Sequence, residues 1–412
     1  MVEKYLIKEG INLYFIPNFK FKTFLSSVYI HRPLDESEAS LNALLPQVLR
    51  RGNKTYKDLT QIQKKCEDLY GAHLFMYSQK KAETHSIVSG IETVSDNFAL
   101  YKEGILEDSL KFLFDVLLNV VDEFDEDILK QEKDNLIERI KGLINDKRNY
   151  AYNRLIQEMC KNERYGVCEL GTVERVSQIT AKGLMAHYKK IITESPIDIF
   201  VSGNLSKEKA IELVKKYTGA LPERRAQYPG VVIGDLPKEV RYVEEKLDVT
   251  QGKLSMGYRV KGADEYAMIL FNTIFGGSTT SKLFLNVREK LSLAYYASSG
   301  YDRYKGIMTV NSGIEFSNYQ KALDEINLQF SYMKNKNITQ EEFDQAMLSI
   351  INSYKSLYDG LRSLESFYAA QCGRDMVDLE TFIDKLSKVT LEDVFCASEN
   401  VELDTVYFLK GI

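Results

Sequence analysis

Four histidines are the first residues to weigh for chemistry, because a zinc-peptidase helix presents two imidazoles at i and i+4 with an adjacent glutamate to activate bound water. The chain has only His31, His73, His85 and His187, and no two of them stand four residues apart. His73 and His85 fall on stretches that read as neighbouring strands, where they could meet across a hairpin, but ordinary surface or core roles are the expectation for both. No GxSxG elbow, GxxxxGK[ST] loop or GxGxxG turn after a strand is present, which removes serine esterase, phosphate-cradling and dinucleotide-binding readings. Gly276-Gly277-Ser278 reads as a tight turn capped by Ser278 or a neighbouring threonine, not as an anion site. Cys66, Cys160, Cys168, Cys372 and Cys396 include no CxxC; the spacing offers no metal site and suits a reducing compartment.

The elements that would position any site belong to a multidomain globular chain of 412 residues. Its 44% hydrophobic and 27% charged residues match ordinary soluble composition and argue against disorder. A net charge of -5 with scattered lysines and arginines offers no basic stripe for nucleic acid. No apolar run is long enough for a membrane span, and the first residues lack signal-peptide character, so a cytoplasmic location is expected.

The sequence is written twice. Ser89-Gly90-Ile91-Glu92 recurs as Ser312-Gly313-Ile314-Glu315, and LLPQVLRRG (44–52) matches LFNTIFGGS (270–278) in apolar pattern. Further on, FDEDILKQ resembles ITQEEFDQ, VSQIT resembles LSKVT, and IDIFVSG resembles TVYFLKG. Two homologous halves follow, 1–221 and 241–412. The proline-rich stretch 222–240 joins them, since proline and glycine interrupt both regular structures. Leu110, Leu113, Phe114, Leu117, Leu118 and Val121 recur at helical spacing and mark a core-facing helix. KTFLSSVYI, HSIVSGI, IDIFVSG, KLSMGYRV, GIMTVNSGI and TVYFLKG have the β-branched and aromatic character of strands. The expected class is α+β: each half a mostly antiparallel sheet with helices packed on one face.

The segment GGSTTSKLFLNVREKLSLAYYASSGY (276–301) resembles the C-terminal-half signature of the pitrilysin/insulinase family of metallopeptidases. In that signature a Ser-[Arg/Lys]-Leu-Phe helix leads into an arginine, six further residues and a tyrosine. With IHRPLDESEASLNALLPQVLRRGNKTY and the duplication, the likeness runs along essentially the whole chain. It is similar to the bacterial branch of inactive insulinase-like proteins encoded beside an active relative, some of which are associated with modification of elongation factor P.

The resemblance implies what has been lost and kept. Catalytic members carry the inverted motif His-x-x-Glu-His on the first helix. Its positions fall here on Ala43, Leu44, Leu45, Pro46 and Gln47, so both imidazole ligands and the general base are missing. Pro46 adds a helix-interior proline, worth about 3 kcal/mol. The family's third ligand is a glutamate seven residues after another. Glu132 matches the preceding one, and Arg139 stands at the ligand position. The signature's arginine and tyrosine survive as Arg288 and Tyr295; the resemblance assigns them to the peptide backbone and to the oxygen that turns negative in the tetrahedral intermediate.

The implied function is the non-catalytic subunit of a two-component zinc peptidase. It would bind no metal itself and supply Arg288 and Tyr295 in trans to a zinc-bearing paralogue, on peptide or small-protein substrates. The alternatives are a structural or peptide-holding protein, alone or self-associated, and an independent metallopeptidase with an unrecognised site.

Overall fold

The structure is a computed structural model that describes residues 1–100, 104–225 and 227–412. Ala226, within the expected joining stretch 222–240, lies outside them. Strands β1 (Glu3–Lys8), β2 (Ile11–Pro17), β3 (Thr23–Pro33), β4 (His73–Lys81), β5 (Thr84–Val94) and β6 (Ile197–Gly203) form one sheet in the order β1-β2-β6-β3-β5-β4. Strands β7 (Arg241–Leu247), β8 (Gly252–Val260), β9 (Ala294–Asp302), β10 (Ile307–Ile314) and β11 (Val401–Gly411) form the other, ordered β7-β11-β8-β10-β9. With β1 set aside, the two orders correspond strand for strand, and each has its one parallel pairing in the same place, β2 with β6 and β7 with β11. The fold is α+β with two mostly antiparallel sheets. Among the described residues, no helix is long and apolar enough to cross a membrane.

The repeated tetrapeptides occupy equivalent strands, and their glycines have the same task. Gly90 on β5 lies opposite Phe75 of β4, and Gly313 on β10 lies opposite Tyr296 of β9. A Cβ at Gly90 would stand 2.3 Å from the Phe75 ring, and one at Gly313 would stand 2.5 Å from the Tyr296 ring. The missing side chain lets an aromatic ring lie flat on the neighbouring strand. Gly90→Val or Gly313→Val is therefore expected to cost about 2 kcal/mol through overpacking, measurable by urea denaturation. The other repeats have local causes as well. Thr180 and Thr390, ending VSQIT and LSKVT, each accept a hydrogen bond from the third residue of the helix they cap.

Helices cover both faces of each sheet, not the one face expected from the sequence, because a second cover arrives from the other half of the chain. On the first, the helix Glu36–Leu49 and the helix Ile105–Leu118 pack on one side, with Leu110, Leu113, Phe114 and Leu117 buried as their spacing predicted. Val121 falls beyond the end of that helix. Strand alternation puts Tyr29 on the opposite side, where it meets Glu365 of the helix Leu361–Ala369. On the second sheet, Tyr258 packs against Phe275 and Phe330. On its other side Arg259 reaches the carbonyl of Met159, which ends the helix Lys147–Met159.

Those two opposite-face helices come from the other half of the sequence. One compact unit comprises Met1–Lys141, Val167–Gly230 and Leu357–Leu379; the other comprises Gly142–Gly166, Val231–Ser356 and Glu380–Ile412. Each therefore takes in a segment from beyond the joining stretch, and the two segments dock alike. Arg362, second residue of its helix, lies 4.3 Å from the Phe75 ring centroid and bonds Glu92 at 2.9 Å. Arg148, second residue of its helix, lies 4.4 Å from the Tyr296 centroid. In each unit a guanidinium covers the ring that the repeated glycine admits, a cation–π contact made once per half.

Candidate functional site

The helix Glu36–Leu49 is the element that would present zinc ligands, and its register buries what it carries. It starts at the Asp35 cap, whose carboxylate accepts from the Ser37 N–H, and continues through Pro46. Ala43, Leu44, Leu45 and Pro46 are buried, and Gln47 is half-buried. Glu132, on the helix Glu126–Gly142, is buried and lies 3.2 Å from the Arg51 guanidinium. Arg139, two helical turns further along, is exposed. A methyl group, a pyrrolidine ring, one amide and a guanidinium do not make a zinc donor set. The nearby carboxylate already faces a cation. These residues do not fit the family's metal.

Arg288 and Tyr295 lie on consecutive elements of the second unit. Arg288 belongs to the helical stretch Leu283–Lys290, and Tyr295 is the second residue of β9. Both are open to solvent, the Arg288 side chain at 42% and Tyr295 at 60%. The guanidinium rests 4.7 Å from the Phe284 ring centroid and 3.4 Å from Glu289. The Tyr295 hydroxyl donates to Glu315, the last residue of the repeated tetrapeptide. That bond holds the phenol above its ordinary pKa, so it keeps its proton. Gly276 and Gly277 close the helical stretch Thr273–Gly277, with the Ser278 hydroxyl donating back to the Thr273 carbonyl at 3.3 Å.

The histidines do not form a metal pair. His73 lies opposite Glu92 and His85 opposite Lys80, so the β4–β5 register sets them at opposite ends of the ladder. His73 meets Arg362 at 2.6 Å. His85 is buried, its Nδ1 accepting from Asn42 Nδ2 at 3.3 Å, and Asn42 Oδ1 in turn accepts from His187 Nε2 at 2.7 Å. Burial pushes both His85 and His187 down to about 4, leaving neutral rings at ordinary pH.

Sequence reasoning missed a polar cluster on the other side of the first sheet. His31 Nε2 lies 3.1 Å from Asp198 Oδ2, and His31 Nδ1 lies 2.9 Å from Ser86 Oγ. Asp198 Oδ1 also accepts from Asn12 at 2.9 Å and from the Tyr228 hydroxyl at 2.7 Å. Burial acts to raise the Asp198 pKa, but hydrogen bonds led by His31 outweigh it and hold the carboxyl low. Cys372 completes the cluster; burial and the neighbouring carboxylate push its thiol well up. With both ring nitrogens of His31 engaged and the thiol protonated, no Cys–His nucleophile is set up. Residues 31, 198 and 372 share no motif spacing, so nothing in the sequence announces the group.

This duplicated two-sheet fold is a metallopeptidase architecture, and the helix that the resemblance makes its zinc helix carries alanine, proline and glutamine at positions 43, 46 and 47. The pattern for the "Peptidase M16 inactive domain" matches residues 178–349. A relative from Bacillus subtilis, "Probable inactive metalloprotease YmfF", is 33% identical over 410 residues, covering 98% of this chain and 96% of its own. The chain belongs to the M16 peptidase family, as an inactive-type member. It is also similar to the "Uncharacterized zinc protease YmxG" of the same organism, 26% identical over 73% of this chain and 75% of that one. A solved structure of a conserved protein from Enterococcus faecalis superposes with a TM-score of 0.91 at 27% identity, covering 100% of this chain and 99% of the other.

Proposed function

We propose that the protein is the non-hydrolytic subunit of a cytoplasmic two-component zinc peptidase, lending Arg288 and Tyr295 to the active site of a zinc-bearing paralogue. The observation that carries this reading is a contrast. The zinc-site positions 43, 46, 47 and 139 hold neither the family's ligands nor its general base, while the arginine and tyrosine of the signature are retained and exposed. Peptides or small proteins are the substrates, zinc resides in the partner, and this chain contributes backbone contacts and a hydroxyl aimed at developing negative charge.

The test is a mixed complex with a paralogue that carries His-x-x-Glu-His. Arg288→Ala is expected to lower kcat/KM for peptide cleavage by roughly a hundredfold, with co-elution of the two chains unchanged. Undiminished cleavage in that complex would overturn the reading. The bond from Tyr295 to Glu315 favours a second reading, a structural or peptide-holding subunit whose hydroxyl is already committed. Under it, Tyr295→Phe and Arg288→Ala both leave turnover untouched while peptide retention by the chain persists.

A further inference from the structure

The first compact unit brings a buried imidazole, a buried carboxylate and a half-buried thiol together, each from a different stretch of chain. His31 sits on β3, Asp198 on β6, and Cys372 just beyond the helix Leu361–Ala369. Their donor atoms all lie within 4.8 Å of one another. His31 is 4% exposed and Asp198 0%. These are not the positions at which the family's zinc helix would offer ligands.

We infer that His31, Asp198 and Cys372 form a binding site for a zinc-like divalent ion that fastens the exchanged segment to the first sheet. Two N or O donors around a tetrahedral zinc stand about 3.3 Å apart, and His31 Nε2 and Asp198 Oδ2 stand 3.1 Å apart. A nitrogen or oxygen and a sulfur would stand about 3.6 Å apart, so with all donors within 4.8 Å closing the site asks for at most about 1 Å of movement at the Cys372 end. Imidazole with thiolate selects zinc, cobalt or a similar ion over magnesium or calcium, which prefer all-oxygen shells.

The surroundings supply what metal ligands ordinarily have behind them, a partner on the atom that does not bind metal. Ser86 Oγ holds His31 Nδ1 at 2.9 Å. Asn12 and the Tyr228 hydroxyl hold Asp198 Oδ1 at 2.9 and 2.7 Å. The Tyr228 hydroxyl also reaches Asp198 Oδ2 at 2.9 Å, and it or a water would supply a fourth ligand. On binding, the Cys372 thiol releases its proton to solvent as the sulfur–metal bond forms. The role is structural: three ligands from three segments, one of them the segment that arrives from the far half of the chain.

The full chain, stripped with a chelator and titrated with Co2+, is expected to take up one ion and to show a near-ultraviolet thiolate-to-cobalt band. The band should vanish in Cys372→Ser and His31→Gln and persist in Cys160→Ala, which removes another buried thiol. Asn12→Ala keeps all three ligands and is expected to weaken binding about ten- to a hundredfold. The wild-type titration stands on its own should a variant fail to fold. Absence of the band in the wild type, or its survival in Cys372→Ser, would show that the cluster is only a hydrogen-bonded network.

Discussion

Arg259→Ala is expected to lower the stability of the second compact unit by about 3 kcal/mol, read as an earlier urea midpoint by circular dichroism. Arg259 projects from β8 onto the side covered by the helix Lys147–Met159 and is 5% exposed. Its guanidinium lies 3.1 Å from Asp404 and also pairs with Glu163, while donating to the Met159 carbonyl at 2.9 Å. The substitution removes the shared cation and leaves the buried Asp404, the half-buried Glu163 and a helix-terminal carbonyl behind. The loss falls at the low end for broken buried pairs because Lys305 stays 2.6 Å from Glu163. Adding Asp404→Asn should recover part of it, since a neutral amide is less costly to bury than a carboxylate that has lost its buried partner. A loss under 1 kcal/mol in Arg259→Ala would mean that the network carries little of the docking of that helix.

Glu365→Gln is expected to stabilise the protein above neutral pH and flatten its pH dependence. Glu365 is buried on the exchanged helix, and the Tyr29 hydroxyl donates to it at 3.0 Å. Burial is the main cause that raises its pKa from 4.5 to about 7, against smaller lowering by Ser27, Tyr29 and Arg362; Glu92 adds to the rise. Between these two values the folded carboxyl keeps its proton and the unfolded one has released it. Unfolding therefore releases a proton in that window, and stability falls as pH climbs from 4.5 to about 7, then levels. The full shift is worth about 3 kcal/mol. Glutamine keeps the acceptor for Tyr29 and carries no charge, so at pH 8 the variant should melt later than the parent, with the two converging toward pH 4. Parallel stability profiles across that range would refute a carboxyl that titrates in place.

Much of the fold is legible in the residues, and the reasons are local. Each of the six β-branched stretches became a strand because alternation and turn residues act over a few positions. The helix around Leu110 followed from its spacing, and the repeated tetrapeptides marked equivalent strands because both halves need a glycine under an aromatic ring. Periodicity fails where the choice of partner is at stake. The apolar face of Leu361–Ala369 says that something covers it, but not that the cover is the sheet of the other half. Glu365 reads as one polar helix residue among several; only its docking against Tyr29 makes it a buried acid.

The candidate sites divide the same way. Residue types alone settle that positions 43, 46, 47 and 139 carry no zinc donors of the family, since no folding can supply an imidazole that is not encoded. The duplication and the Arg288 and Tyr295 signature are likewise written in the chain. Tertiary structure decided that these two side chains face solvent, that Tyr295 donates to Glu315, and that His31, Asp198 and Cys372 meet. Covalent order fixes which groups exist and how each segment repeats. Which distant groups become neighbours depends on all the packing surfaces closing together, and that is where the exchange of helices between halves was determined.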